Sequence, residues 1–235
     1  MVWDIGPREH SWLAGETMGA EDRIERARQA CDRAVFVGDM ATLDTAAREL
    51  DAVEADLAVA RGRIMQARSR ERRTENPAEL ASFERAADLY RGLGDVRGEG
   101  EALFWVGTYH QMSLRDDDTA VPVLQRSYEL AAQVGDKLTM SYALRHLGYA
   151  DHTAGRLAAA RERLEESTRL RREIGLLPGV AANLVGLAYV AAAQGRRDDG
   201  LALIEEAGSI AEASGAEAIR RQVEEARVHL GTAQT

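Results

Sequence analysis

Glycine recurs along this chain at a nearly constant interval, and that interval limits the fold more than any other feature. Gly94, Gly135, Gly175 and Gly215 lie 41, 40 and 40 residues apart, and Gly155 and Gly195 fall midway in the later intervals. Each follows a stretch of helical apolar spacing, where a left-handed glycine closes a helix. The side chains between them keep the same register. Leu144, Leu147, Gly148 and Tyr149 return as Leu184, Leu187, Ala188 and Tyr189, and 41 residues before them stand Leu103, Val106, Gly107 and Thr108. In the second half of each unit Leu124, Leu164 and Ile204 correspond. Self-similarity at this period marks stacked supersecondary units. Leu144 and Leu147 are three apart, and Leu157 and Leu164 seven apart, which is helical and not strand-like spacing. The extra residue of the first unit is assigned to a longer turn containing Asp116, Asp117 and Asp118.

A helix map follows. Helices are expected over 97–113 and 118–134, 139–154 and 157–174, 180–194 and 197–214, with a last one near 216–231 carrying Ile219, Val223 and Leu230. Upstream, Asn76-Pro77-Ala78-Glu79 has the capping residue, the proline and the early acid of a helix start, and that helix runs to Leu93. Gly38-Asp39 is a turn between helices at 21–37 and 40–55. Residues 56–73 form either a further helix or, since no turn residue precedes them, the end of one long helix from 41 to 73. The domain plan is a loosely ordered segment 1–20 and a single repeat domain 21–235. Its repeats span about 21–55, 56–94, 97–135, 139–175 and 180–215, and its cap 216–231.

Composition narrows the function classes. Aromatics make up 5% of the chain, which favours close-packed helices over sheets. A net charge of −9 opposes direct nucleic-acid binding, which needs a basic face. The single cysteine, Cys31, allows no intrachain disulfide and fits a reducing cytoplasm; with Ala30 and Ala34 near it, it is expected in a helix interface. The N-terminus has no basic segment followed by an apolar run, and nothing in the chain approaches the roughly 18 apolar residues of a membrane span.

The pattern resembles tetratricopeptide repeats, in the roughly 40-residue variant found in bacterial signalling and transcriptional regulators. Leu144, Leu147, Gly148, Gly155, Ala160 and Leu164 occupy the motif positions, as do Leu184, Leu187, Ala188, Gly195 and Ile204. Asp151 departs from the family's tyrosine, and Gly200 from its alanine. The resemblance is strong over 97–215 and weaker over 21–96. It implies an all-α, right-handed superhelical solenoid of antiparallel hairpins, capped by the C-terminal helix. The first helix of each pair would line a concave groove.

On a helical wheel Tyr142, Arg145, Tyr149 and His152 fall within about 80°, opposite Leu144, Leu147 and Gly148. Such a stripe is either a ligand surface or an ordinary solvated face; tyrosine and arginine favour the first. With matching positions in neighbouring units, the groove residues become Glu101, Phe104, Thr108, Gln111, Tyr142, Arg145, Tyr149, His152, Val185 and Tyr189. No metal is expected, because His146 and His152 point about 120° apart on a helix, unlike chelating pairs four residues apart. Asp116-Asp117-Asp118 lacks the ligand spacing of a calcium loop and is taken as a capped turn. The arginines between 61 and 73 suit a solvated helix. No catalytic or cofactor motif is present. The leading expectation is therefore a cytoplasmic, non-enzymatic scaffold or adaptor that holds a protein or peptide in its groove, with no cofactor and no membrane contact, and open to homo-oligomerisation. The alternatives are a sensor of a small ligand or signal peptide acting on a regulator, and an accessory or enzymatic protein of a biosynthetic pathway.

Overall fold

The computed structural model describes residues 19–72 and 74–232. The loosely ordered segment expected at the N-terminus lies, for residues 1–18, outside them. The described chain is all-helical: α1 Ala20–Val37, α2 Leu43–Arg72, α3 Pro77–Leu93, α4 Val96–Tyr109, a π-helical turn His110–Leu114, α5 Asp117–Val134, α6 Lys137–Thr153, α7 Leu157–Glu173, α8 Leu177–Ala193, α9 Arg197–Ala213 and α10 Glu217–Thr232. No strand occurs among the described residues. The two options for 41–73 resolve in favour of one long helix, α2. Contacts divide the described chain, within α4, into two compact units, residues 19–102 and 103–232. In the first, α1 packs on α2 and α2 on α3; in the second, each helix from α5 to α10 packs on the next, and α10 also touches α8. No helix among the described residues is long and apolar enough to cross a membrane.

The glycines close helices as their spacing implies. Gly135 sits at φ 68° and donates its N–H to Ala131 and Ala132 carbonyls at the end of α5, a conformation in which a β-carbon is strained. The other five glycines of the two series share this left-handed geometry. Asn76 caps α3 through Ala78 N–H, and Asp116 caps α5 through Thr119 N–H.

The extra residue of the first repeat is not in a longer turn. Leu114 and Asp117 are separated by two residues, fewer than the three between α6 and α7. It is absorbed by the π turn at 110–114, which ends on Arg115 in the left-handed region at φ 55°. Register intervals that span this turn measure 41, and those beyond it measure 40. A π turn is how a helix accommodates one inserted residue without breaking.

Hairpin contacts repeat with the sequence. A β-carbon on Gly107 would lie 2.7 Å from Leu124 Cγ, and one on Gly148 would lie 3.1 Å from Leu164 Cγ and 3.3 Å from the Ala160 carbonyl oxygen. Gly62 meets the Phe83 ring in the same way, at 2.5 Å. Phe83 thus extends the series Leu124, Leu164 and Ile204 into the 19–102 unit, and all four are buried. Gly148→Leu should overpack its crossing and cost about 1–3 kcal/mol. An unchanged urea midpoint would remove Gly148 from that role.

A second register couples each hairpin to the next. Tyr90, Ala131, Arg171 and Ala211 correspond on the second helices, and Gly98, Thr139, Gly179 and Ile219 follow on the next first helices. Where the first member is large, the second is glycine; where it is alanine, the second is Thr139 or Ile219. All eight are buried. A β-carbon on Gly98 would stand 2.4 Å from the Tyr90 ring, and one on Gly179 3.0 Å from Arg171 Cδ. Volume is conserved across the pair, as close packing demands.

Two acids interrupt the apolar registers. Asp151, at the position where the resembled family has tyrosine, is buried between Arg156 Nε at 2.7 Å and Arg163 Nη1 at 2.9 Å, so it ties α6 to α7. Glu79 takes the place held by Ala120, Ala160 and Gly200 and is 1% exposed. Burial raises its pKa above the ordinary carboxylate value, with Ser69 and Arg70 pulling it back. A carboxyl whose pKa rises on folding binds protons more tightly in the native state, so its contribution to stability falls as pH climbs from the unfolded value through the folded one. Glu79→Gln should therefore gain stability over wild type as pH rises from about 4 to 7. A mutant–wild-type difference that is flat across that window would show that Glu79 pays no burial penalty.

Cys31 departs from its expected interface: it is exposed. In α1 the buried residues are Ala27 and Ala30, and Cys31 follows one position round the helix, outside the stripe that meets Ala46 and Leu43.

Candidate binding site

Within the 103–232 unit the first helices α4, α6 and α8 carry most of the expected groove residues, and the structure brings a subset together. Phe104 on α4 stacks on Tyr142 of α6 with centroids 5.3 Å apart, and meets His146 edge-on at 5.4 Å. One turn along α6, Arg145 reaches α8, where Nη1 donates to the Ala182 carbonyl at 2.8 Å and to Asn183 Oδ1 at 2.9 Å. Gln111 joins the π turn to α6: its Nε2 donates to Asp117 Oδ1 and the His146 carbonyl, and its Oε1 lies 2.6 Å from His146 Nδ1. Since Oε1 can only accept, that bond places the proton on Nδ1.

The stripe Tyr142, Arg145, Tyr149 and His152 does not face one environment. Tyr142 is 8% exposed and Tyr149 48% exposed, while Arg145 and His152 are half-buried. The wheel separated one packing face from one open face. A first helix has two sets of neighbours, its hairpin partner and the first helices beside it, and the second set takes Tyr142 and Arg145. Phe104, Thr108, Gln111 and Val185 are likewise buried. Tyr189 is half-buried against His229 of α10, with ring centroids 5.7 Å apart. Glu101 belongs to the 19–102 unit, where it lies 4.0 Å from Arg63 Nη1.

The centre of this cluster is a polar network that the sequence did not single out. Arg171 of α7 is 0% exposed. Its Nη1 donates to the Gly179 carbonyl at 2.8 Å and to Asn183 Oδ1 at 3.0 Å, its Nε to Ser141 Oγ at 3.4 Å, and its guanidinium carbon lies 5.2 Å from the Tyr142 ring centroid. Asn183 Nδ2 donates to Ser167 Oγ, which donates to the Ser141 carbonyl. One amide oxygen therefore accepts from two arginines. Burial pushes the Arg145 guanidinium down to about 10. Burial, and next the neighbouring Arg145 charge, pushes Arg171 down to about 9. Both shifts report the cost of holding a cation away from water.

Two signals pointed to this network. Arg171 stands where the other hairpins of the unit have Ala131 and Ala211, and Asn183 is the one side-chain amide in the apolar helix α8. A separate trough between α7 and α9 over α8 is lined by Leu184, Leu187 and Leu203 and by Arg169, Arg172 and Glu206. Among the described residues no three His, Cys, Asp or Glu side chains converge on a metal-sized site. Comparison with family models and with curated proteins gives no match.

Proposed function

We propose that this protein is a non-enzymatic binding module of the tetratricopeptide type. Residues 97–215 would form its solenoid, α10 its cap, and the first helices of successive hairpins a groove that holds an extended or helical segment of a partner protein in the cytoplasm. The observation that carries this reading is the join between register positions. Phe104, Tyr142, Arg145 and Asn183 come from three successive first helices: Phe104 stacks on Tyr142, and Arg145, three residues on along α6, bonds Asn183. A repeat that only packs against itself has no need of an aromatic and basic line across its units. Tyr149, His152 and Tyr189 keep exposed surface from which a partner could be held.

Tyr149 tests the reading, because it is 48% exposed and Arg145 is not dispensable to packing. Tyr149→Ala should move stability by no more than about 0.5 kcal/mol. It should weaken a partner captured from the native host by tens of times, the loss of about 2 kcal/mol typical of an aromatic anchor. Undiminished capture by the mutant would rule out this face as the groove.

A further inference from the structure

Leucine recurs every seven residues along α2, at Leu43, Leu50 and Leu57, with Ile64 next in the series. That face lies opposite the buried Ala55, Val59, Gly62 and Gln66, of which Gly62 meets Phe83 of α3. At its N-terminal end it meets α1: Leu43 and Ala46 pack with Ala27 and Ala30, and Arg26 of α1 bonds Glu49 at 2.9 Å. The two helices run antiparallel across the turn at 38–42, so Ala20, where α1 begins, comes level with Ala55. From there α2 continues to Arg72, about 25 Å of helix at about 1.5 Å per residue. Exposure along the series rises accordingly, from half-buried Leu43 to 38% at Leu50, 44% at Leu57 and 54% at Ile64. Ala60 and Ala67, three residues on from Leu57 and Ile64 and also exposed, make the face continuous.

We propose that this face is the docking site of the chain's own N-terminal segment, residues 3–18, whose apolar side chains cover Leu57, Ala60, Ile64 and Ala67. Place, length and charge select that occupant over a second copy. The segment joins α1 through Gly19, at the edge of the uncovered face. A segment of that length spans from about 24 Å as a helix to about 55 Å fully extended, which brackets the uncovered length of α2. It carries Trp3, Ile5, Trp12, Leu13 and Met18, large apolar side chains that gain by leaving water against such a face. Its charged side chains are Asp4, Glu9 and Glu16 against Arg8, whereas Arg61, Arg68 and Arg72, all exposed, edge the face on α2. A second copy would instead bring another set of those arginines to the same junction. A tethered segment also meets its site at an effective concentration on the order of millimolar, which a free second chain does not.

Limited trypsin digestion of the full chain tests this. Arg8 is the one lysine or arginine before Gly19, so the rate of cleavage there, followed by mass spectrometry, reports whether the segment is held. Wild type should be cut at Arg8 at least about tenfold more slowly than the Leu57→Asp, Ile64→Asp double variant, whose carboxylates make the face unfit for apolar side chains. Both positions are exposed, so circular dichroism should stay helical. Trp12→Ser with Leu13→Ser alters the segment instead of the face and should release Arg8 to the same degree; it decides the matter if the α2 variant loses helix. Wild type cut as fast as the variants, or protection that persists in a folded variant, would overturn the docking. So would protection that fades as wild type is diluted, the mark of a second copy on this face.

Discussion

Gly98→Thr should destabilise the 19–102 unit by about 3 kcal/mol, the upper end of what overpacking costs, and Tyr90→Ala should cost less in that chain than it does alone. A β-carbon on Gly98 would stand 2.4 to 2.6 Å from three atoms of the Tyr90 ring. The ring has little room to yield. It is 7% exposed, and its hydroxyl donates to Asp56 Oδ1 at 2.7 Å. Tyr90→Ala alone empties a buried aromatic site, a change that costs about 3–5 kcal/mol. Together the two substitutions reproduce the Ala131 and Thr139 pair that the 103–232 unit uses at the same register. The added side chain then enters the space the ring has left, so the double mutant should be more stable than the sum of the single losses by about 1–3 kcal/mol. Urea midpoints of the four proteins measure this. Additive losses would mean that Tyr90 and Gly98 do not share one space.

That pairing shows what the sequence made legible and what it concealed. The helix ends at Gly94, Gly135, Gly155, Gly175, Gly195 and Gly215 were readable because a left-handed backbone asks for glycine, whereas the left-handed end at Arg115 carries no such mark. The helix crossings at Gly107 and Gly148 were readable because a missing side chain marks close approach on a periodic background. The pairing of Tyr90 with Gly98 was harder, since it joins different hairpins and shows only when residues are compared for size across the register. The π turn was hidden for another reason. One inserted residue has the same length in a loop as in a widened helix, and nothing in His110–Leu114 says which backbone absorbs it. The candidate site was only half legible. Angular position on α6 grouped Tyr142 with Tyr149, yet the first is buried and the second exposed, because burial is set by neighbouring helices, and those lie 40 residues away. Arg171 and Asn183 stood out against their own registers, as an arginine among alanines and an amide in an apolar helix, yet either alone reads as an irregularity. Their meaning needs the shared oxygen.

That oxygen supports the other large effect. Asn183→Leu should destabilise the 103–232 unit by about 3 kcal/mol or more. Leucine is of similar size and suits the apolar helix α8, so a purely hydrophobic account predicts a neutral or favourable change. The polar account predicts the reverse. Asn183 is 0% exposed, and its loss takes an acceptor from Arg145 and Arg171 at once and a donor from Ser167. Arginine does not shed its proton to escape, so the cost falls on two cations, Arg171 fully buried and Arg145 half-buried. Asn183→Asp separates charge from shape. It keeps an acceptor for both guanidiniums and strengthens each bond, because the acceptor is now ionised. It loses the donation to Ser167 Oγ, whose hydroxyl is already committed to the Ser141 carbonyl at 2.6 Å. Those changes oppose each other, and the aspartate protein should unfold within about 1 kcal/mol of wild type. The expected order of urea midpoints therefore places the leucine variant well below the other two. A leucine variant as stable as wild type would show that the arginines do not depend on Asn183. An aspartate variant that falls as far as leucine would show that the amide's donation, and not its shared oxygen, holds the three helices together.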